Sequence, residues 1–148
     1  MNPPPSESRP TLHLMKLCVG VDEIAELAEF QARRLAQHGR VWHLTRSTPR
    51  RADELLDGGS IYWSIRGRLQ VRQRLLGFEA DSDEQERPRC RILLDPELVS
   101  TAPRSIRPFQ GWRYLPAADA PADLGKSSGA IAEMPEELRR ELRELGLL

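Results

Sequence analysis

Residues 60–75 carry the clearest pattern in the chain, a regular alternation of apolar and polar side chains. This period of two is typical of an extended strand with one buried and one exposed face. Because the run is longer than an ordinary strand, we expect it to bend at Gly67 and form a β-hairpin. A three-residue turn over residues 66–68 places Tyr62 opposite Arg72 on the exposed face.

Other apolar runs predict further strands, and apolar residues at helical spacing predict three helices. Strands are expected at residues 12–19, 41–46, 90–95 and 109–114. Helices are expected to begin at Asp22, at Thr48–Pro49 and at Pro135. Asp22 and Thr48 suit the N-cap because their side-chain oxygens accept hydrogen bonds from free backbone N–H groups.

Together these elements predict an α+β domain of ordinary size with one core. We expect a curved, mostly antiparallel sheet or a partial barrel, with two helices packed on it and a peripheral C-terminal helix. The predicted divisions are a disordered arm at residues 1–10, a single α+β domain at 11–115, a linker at 116–132 and a terminal helix at 133–148.

The composition is that of a globular protein, with 39% hydrophobic and 30% charged residues and a formal net charge of zero. The charge is nevertheless uneven along the chain. Residues 40–75 contain eight arginines against three acids, whereas residues 79–97 contain seven acids against three arginines. The basic segment either binds an anionic ligand or forms ion pairs with the acidic one, and the sequence leaves both open.

The two cysteines, Cys18 and Cys90, are too few for a disulfide framework, which favours a reducing compartment. The proline-rich start lacks the basic and apolar regions of a signal peptide. No run approaches the roughly 18 apolar residues of a membrane span. We therefore predict a cytoplasmic protein without a membrane partner.

The polar face of the hairpin is the first candidate site. Tyr62, Arg72 and Arg74 are predicted to share one face of the hairpin, and Arg66 and Arg68 lie at its turn. The planar guanidinium donates paired hydrogen bonds to phosphate, and a tyrosine ring stacks on a base. This face is therefore predicted to bind RNA or a nucleotide, unless its arginines pair with the acidic segment.

The second candidate site lies where the strand with His43 and Arg46 meets the helix predicted at Thr48. A helix N-terminus offers free N–H groups to an anion, and Arg50 and Arg51 lie beside it. A phosphate is expected to bind there. In the alternative interpretation, Thr48 only caps the helix and the arginines are solvated.

An aromatic segment forms the third candidate. Phe109, Trp112 and Tyr114 fall within six residues, and Arg113 follows Trp112. Trp112 and Arg113 are candidates for ligand contact, while Phe109 is expected in the core. Packing of the whole segment at a sheet edge is the alternative.

Other motifs are incomplete. Gly125-Lys126-Ser127 resembles the end of a phosphate-binding loop, but Ala120 stands where that motif needs glycine. The histidines and cysteines lack the spacing of metal ligands, so no metal, cofactor or catalytic residue is predicted, and Cys18 is assigned to the core.

Several segments resemble a bacterial family of uncharacterised proteins, domain of unknown function 1489. They are HLMKLCVG from His13, HLTR from His43, RADELLDGGSIYW from Arg51, RQR from Arg72, CRILLDPEL from Cys90 and RPFQGWRYL from Arg107. The short helix ending in Gly58 is also distantly similar to PUA/ASCH domains. That similarity implies a pseudo-barrel with an RNA or modified base bound near the helix. Some of those domains are hydrolases with a lysine, threonine and glutamate trio, which does not match here.

The favoured hypothesis is a non-enzymatic domain that binds RNA or a nucleotide. Its site residues would be His43, Arg46, Arg50, Arg51, Tyr62, Arg66, Arg68, Arg72, Arg74, Trp112 and Arg113. One alternative is a small-molecule binder or hydrolytic enzyme with a cleft at His43 and Thr45, in which His43 is the general base. Another is a protein-interaction module whose partner docks on Leu138, Leu142 and Leu145.

Overall fold

The structure, a computed structural model, describes residues 11–124 as a seven-stranded sheet with two helices. The strands are β1 (Leu12–Leu17), β2 (Val41–Thr45), β3 (Ser60–Ile65), β4 (Arg68–Ser82), β5 (Pro88–Leu94), β6 (Val99–Ser105) and β7 (Trp112–Pro116). The helices are α1 (Ile24–His38) and α2 (Ala52–Leu55), and a 3₁₀ turn follows at Ala117–Asp119. The predicted α+β class is confirmed.

The strand order is β2-β5-β4-β3-β1-β7. The first half of the long strand β4 pairs with β3 along one edge and with β6 along the other. Only β1 and β3 run parallel, which confirms the mostly antiparallel sheet. Within the described residues the sheet does not close into a barrel, so the pseudo-barrel alternative is not confirmed. Neither helix is long and apolar enough to cross a membrane.

The hairpin of β3 and β4 has the predicted partners but a shorter turn. Tyr62 lies opposite Arg72, as the alternation predicted. The loop contains two residues, Arg66 and Gly67, both with positive φ (54° and 77°). The three-residue turn was therefore wrong, because two residues of this conformation match the twist of the flanking strands.

A β-bulge at Gln70 moves the side chain of Leu69 to the opposite face of the sheet. The register passes from Trp63 opposite Val71 to Ser64 opposite Leu69. Leu69 consequently leaves the face of Val71 and packs with the opposite cluster. The bulge is held by the Gln70 side chain, whose amide donates to the carbonyl of Ile65 at 2.7 Å.

The main core lies between the sheet and α1, and it includes the inward residues of β1, β3 and β5. A smaller cluster on the opposite face contains Tyr62, Leu69 and Leu115. Both faces of the central strands are thus covered in this region. Ala120, which directly follows the 3₁₀ turn, packs against the second cluster, so the chain after β7 folds back over the sheet.

Both described helices begin later than predicted. At α1 the N-cap position is Glu23, which makes no side-chain cap, and Asp22 instead donates its N–H to Glu26 at 3.2 Å. At α2 the first helical residue is Ala52 rather than Thr48 or Pro49. Thr48 is not the N-cap, because that position is held by Arg51, which makes no side-chain cap hydrogen bond.

The sequence patterns missed β6 and shifted β7. Pro103 lies within β6, whose one partner among the seven described strands is β4, and a strand at the edge of a sheet tolerates proline. The strand predicted at 109–114 is observed at 112–116. Part of the predicted linker is structured, since Asp123 bridges to Thr101. The arm at 1–10, the remaining linker and the helix with Leu138, Leu142 and Leu145 lie outside the described residues.

Candidate functional site

The polar hairpin face is not an open binding surface. Tyr62 is only 4% exposed and makes an edge-to-face contact with His13. The guanidinium of Arg72 donates two hydrogen bonds of 2.7 Å to Asp123 and a third to the Ser60 hydroxyl. The fold therefore brings Tyr62 and Arg72 together, as expected, but turns them into a packed structural contact.

The other predicted arginines do not converge with this pair. Arg66, Arg68 and Arg74 are exposed at separate points of the hairpin. Arg50 is exposed next to α2. Arg51 forms a bidentate ion pair with Glu54. Because α2 has only four residues, it also offers no extended helix end for an anion.

The acidic segment at residues 79–97 forms its ion pairs with arginines that do not belong to the polar hairpin face. Glu79 forms ion pairs with Arg40 and Arg91, and Asp81 forms them with Arg89 and Arg91. The guanidinium groups of Arg40 and Arg91 also lie over the ring of Trp42. These contacts support the ion-pair interpretation for this outer surface of β2, β4 and β5.

A cleft opens between the C-terminal part of β1 and the free edge of β2, and we call it the β1–β2 cleft. β2 is an end strand that pairs only with β5 in the described sheet. Helix α1 crosses this region, and Arg34 donates to the carbonyl of Trp42 at 2.7 Å. The inner part is a cavity of about 400 Å³. Its lining includes Lys16, Cys18, Val19, Phe30, Gln31, Arg34, Trp42, His43, Leu44 and Trp63.

A polar groove adjoins the cavity. Lys16 and Leu44 line both, so the two spaces are adjacent. The groove is also lined by Thr45, Arg46, Ser47, Gln110, Gly111 and Trp112. Trp112 is held in this wall because its indole N–H donates to the carbonyl of Ser47 at 3.1 Å. Of the predicted site residues, His43, Arg46 and Trp112 therefore meet at this cleft, whereas Arg113 lies over Phe109.

The floor of the cavity is fixed by a buried polar network. The indole N–H of Trp63 donates to the Gln73 side-chain oxygen at 2.8 Å. Gln73 and Gln31 exchange two amide hydrogen bonds of 2.8 and 2.6 Å. Gln73 also donates to the carbonyl of Asp95. Because every partner is oriented by another, this network makes the aromatic floor rigid.

His43 is a neutral, unpartnered group in the cavity wall. Its ring contacts Trp63 edge-on, with centroids 5.1 Å apart. The Nε2 atom is buried and has no hydrogen-bond partner among residues 11–124. Burial first, and then the charges of Lys16 and Arg34, lower the pKa of His43 to about 4. A neutral imidazole with an unused nitrogen is suited to recognise a ligand by hydrogen bonding.

Lys16 is a candidate site residue that the sequence patterns missed. Strand alternation places it on the same side of β1 as the core residues Leu12 and Leu14, at the point where the core opens into the cavity. Its ammonium forms no hydrogen bond or ion pair with any described residue. Burial lowers the pKa of Lys16. The available signal was a charged residue within an otherwise apolar strand.

Cys18 lines the same cavity but is a poor ligand or nucleophile. Burial raises the pKa of its thiol to about 11, an effect only partly opposed by Lys16, so the thiol is protonated at neutral pH. The part of the chain that the structure describes contains no group of three His, Cys, Asp or Glu residues placed to hold a metal ion. The chemistry of the cleft thus rests on its amine, imidazole, guanidinium and aromatic groups.

Two buried histidines predict a specific pH dependence of stability. His13 accepts a hydrogen bond from the Ser60 N–H at Nδ1, and its pKa is lowered to about 4, mainly by burial. His43 has a similarly lowered pKa. Between pH 6.5 and 4 the unfolded chain therefore binds more protons than the folded chain, and stability falls as the pH decreases through this window.

We expect the free energy of unfolding in urea to be constant above pH 6.5 and to decline below it. The variants H13N and H43Q retain a hydrogen-bonding atom but do not titrate. Together they should flatten the decline above about pH 5.5, where few carboxylates titrate. An unchanged decline in the double variant would show that other groups cause it.

Comparison with known proteins identifies the family. The sequence profile of the family described as "Protein of unknown function (DUF1489)" matches residues 14–148, which is most of the chain. No curated protein and no solved structure matches the chain. The resemblance seen in the sequence motifs is thereby confirmed: the chain belongs to the DUF1489 family.

Proposed function

We propose that this protein binds a nucleotide, either free or as one unit of a single-stranded RNA, in the β1–β2 cleft. One observation carries the proposal. An aromatic cavity adjoins a groove, and the two cations that line the groove, Lys16 and Arg46, have no ion-pair partner among residues 11–124. A nucleotide likewise joins an aromatic base to an anionic phosphate.

The cavity suits the base in size and chemistry. Its volume of about 400 Å³ is within the range of small-molecule sites. Val19 and Phe30 are 85% and 51% exposed at its rim, which favours an apolar or aromatic ligand. His43 borders the cavity with a neutral imidazole, whose buried Nε2 has no hydrogen-bond partner among residues 11–124.

The groove suits the phosphate. No carboxylate of the described residues lies within ion-pair distance of Lys16 or Arg46. This distinguishes both cations from Arg51 and Arg72, whose guanidinium groups are already occupied. An unpaired arginine beside a lysine favours an anion through charge-assisted hydrogen bonds.

The geometry favours binding over proton transfer. A general base needs a pKa near neutrality and usually a partner that orients the ring. His43 has a pKa of about 4, and its buried Nε2 has no hydrogen-bond partner among residues 11–124. The enzymatic alternative at His43 and Thr45 is therefore less well supported. Docking through Leu138, Leu142 and Leu145 stays a prediction, since those residues are not described.

Binding assays with nucleoside monophosphates and short single-stranded RNA test this proposal. We expect R46Q and K16Q each to weaken binding about tenfold, because a charge-assisted hydrogen bond contributes about 1.5–3 kcal/mol. Affinity should fall as salt is added. H43F should alter the preference among bases more than the salt dependence.

R68Q is the matched control, because Arg68 is exposed on β4 and does not line the cleft. It should bind like the unmodified protein. Equal losses of affinity in R68Q and R46Q would indicate that the nucleotide is attracted nonspecifically to exposed arginines. No binding of any nucleotide or RNA by the folded protein would overturn the proposal.

A further inference from the structure

We propose that Lys16 is a reactive amine, and that the β1–β2 cleft takes up an aromatic carbonyl compound with an anionic group and holds it on Lys16 as an imine. This is a covalent chemistry beyond nucleotide binding. It uses the same cleft but does not require that the natural ligand be a nucleotide.

The first argument is the residue type at this position. Of the 22 basic residues in the chain only two are lysines, Lys16 and Lys126, and the other twenty are arginines. A cation needed only for charge at position 16 would be served equally by the arginine used almost everywhere else. Of the two cations, only the amine of lysine readily loses its proton and becomes a nucleophile.

The second argument is the position of the amine. Lys16 extends from the core side of β1 and borders both the cavity and the groove. No carboxylate of residues 11–124 pairs with its ammonium and stabilises the protonated form. Partial burial lowers the pKa of Lys16, an effect only partly opposed by the thiol of Cys18. These conditions increase the fraction of free amine at neutral pH.

The third argument concerns the ligand. An aromatic carbonyl compound places its ring in the cavity bordered by Trp63 and Phe30. An anionic substituent then reaches Arg46 in the groove. The carbonyl carbon then lies at the border between the cavity and the groove, next to Lys16, which lines both spaces. Binding before reaction raises the effective concentration of the carbonyl at the amine.

The covalent step needs no oxidant, reductant or metal. The amine nitrogen of Lys16 attacks the carbonyl carbon, a C–N bond forms, and the oxygen takes up a proton to give a carbinolamine. The carbinolamine then loses its hydroxyl group and the remaining N–H proton as water, leaving a C=N bond. The reaction is reversible by hydrolysis.

Reductive trapping tests this proposal on the full chain. The probe is pyridoxal 5′-phosphate, an aromatic aldehyde with a phosphate group, and borohydride is added to reduce any imine to a stable amine. Peptide mass spectrometry then follows labelling at Lys16 and Lys126 separately. We expect Lys16 to be labelled about tenfold faster or more, because the cleft holds the probe next to the amine. Half-maximal labelling of Lys16 should also occur at lower pH than that of Lys126.

Two variants distinguish specific binding of the probe in the cleft from the general reactivity of a lysine amine. R46Q should slow labelling of Lys16 by pyridoxal phosphate but not by benzaldehyde, which has no anionic group. K16R should lose the fast label while its thermal unfolding shows that the domain is folded. In urea the two lysines should react alike.

Labelling of Lys16 at or below the rate of Lys126 in the folded protein would overturn the proposal and identify Lys16 as a shielded core residue. The same holds if R46Q affects both aldehydes equally. These outcomes are independent of the nucleotide assays. Fast labelling without nucleotide binding would leave the imine site standing and remove the proposed function, and nucleotide binding without fast labelling would do the reverse.

Discussion

Replacing Gln73 with leucine should lower the free energy of unfolding by about 4 kcal/mol, because each buried polar group left without a partner costs about 1–3 kcal/mol. Gln73 is fully buried and serves three partners: Trp63, Gln31 and the carbonyl of Asp95. Leucine fits the volume but satisfies none of them. The loss is a large share of the roughly 5–15 kcal/mol by which a domain is stable.

Urea unfolding followed by tryptophan fluorescence measures this effect. Q31L is the matched control, since it leaves Gln73 bonded to Trp63 and Asp95, and it should cost about 1–2 kcal/mol. The double variant Q31L/Q73L should be less destabilised than the sum of the two, because the removed groups are partners of each other. Additive losses would show that the two amides do not act as one network.

The Gln73 network also connects stability to the proposed site. Trp63 forms part of the cavity wall, and its indole N–H is oriented only by Gln73 among the described residues. A folded Q73L protein should therefore bind nucleotide more weakly than Q31L at equal fractions folded. This effect distinguishes a positioning role of Gln73 from a purely global loss of stability.

The substitution G59A should destabilise the domain by about 3 kcal/mol or more, because overpacking against immobile atoms is costly. Gly59 joins α2 to β3, where the chain passes directly against β1. A Cβ at this position would lie closer than 3 Å to the carbonyl oxygens of Leu12 and Leu55. Both oxygens belong to the backbone, so neither can rotate away as a side chain can.

G77A provides the comparison for this prediction. Gly77 is in β4, and the nearest atom to a new Cβ is the flexible Leu93 side chain at 3.4 Å. We expect a change of less than about 1 kcal/mol there, as at most surface positions. Thermal unfolding of both variants measures the difference. Equal melting temperatures for G59A and G77A would show that the α2–β3 junction can move aside.

The local periodicity of the sequence was sufficient for the fold class and for most elements. Alternation over residues 60–75 identified the hairpin and its Tyr62–Arg72 pair, because side-chain direction in a strand depends only on position along the chain. It did not reveal the bulge at Gln70. A bulge depends on a hydrogen bond to Ile65 in the neighbouring strand, and no alternation pattern records that contact.

The candidate site was less predictable than the fold. The alternation pattern predicted that the arginines of the hairpin lie on its polar face. It could not show that Arg72 forms an ion pair with Asp123, about fifty residues later in the chain. Lys16 was overlooked for the same reason, since β1 has apolar residues on both faces and looks like an ordinary central strand. Its importance arises only where β2 and α1 leave a cavity beside it.

By itself, the sequence determined most of the elements, the mostly antiparallel α+β class and the family, since these follow from residue order and local spacing. The tertiary structure alone decided which cations remain unpaired. Whether a guanidinium or an amine is available to a ligand depends on the position of carboxylates from distant segments, and that position is set by packing of the whole sheet. For this reason Arg72 holds the fold together, whereas Lys16 and Arg46 face an open cleft.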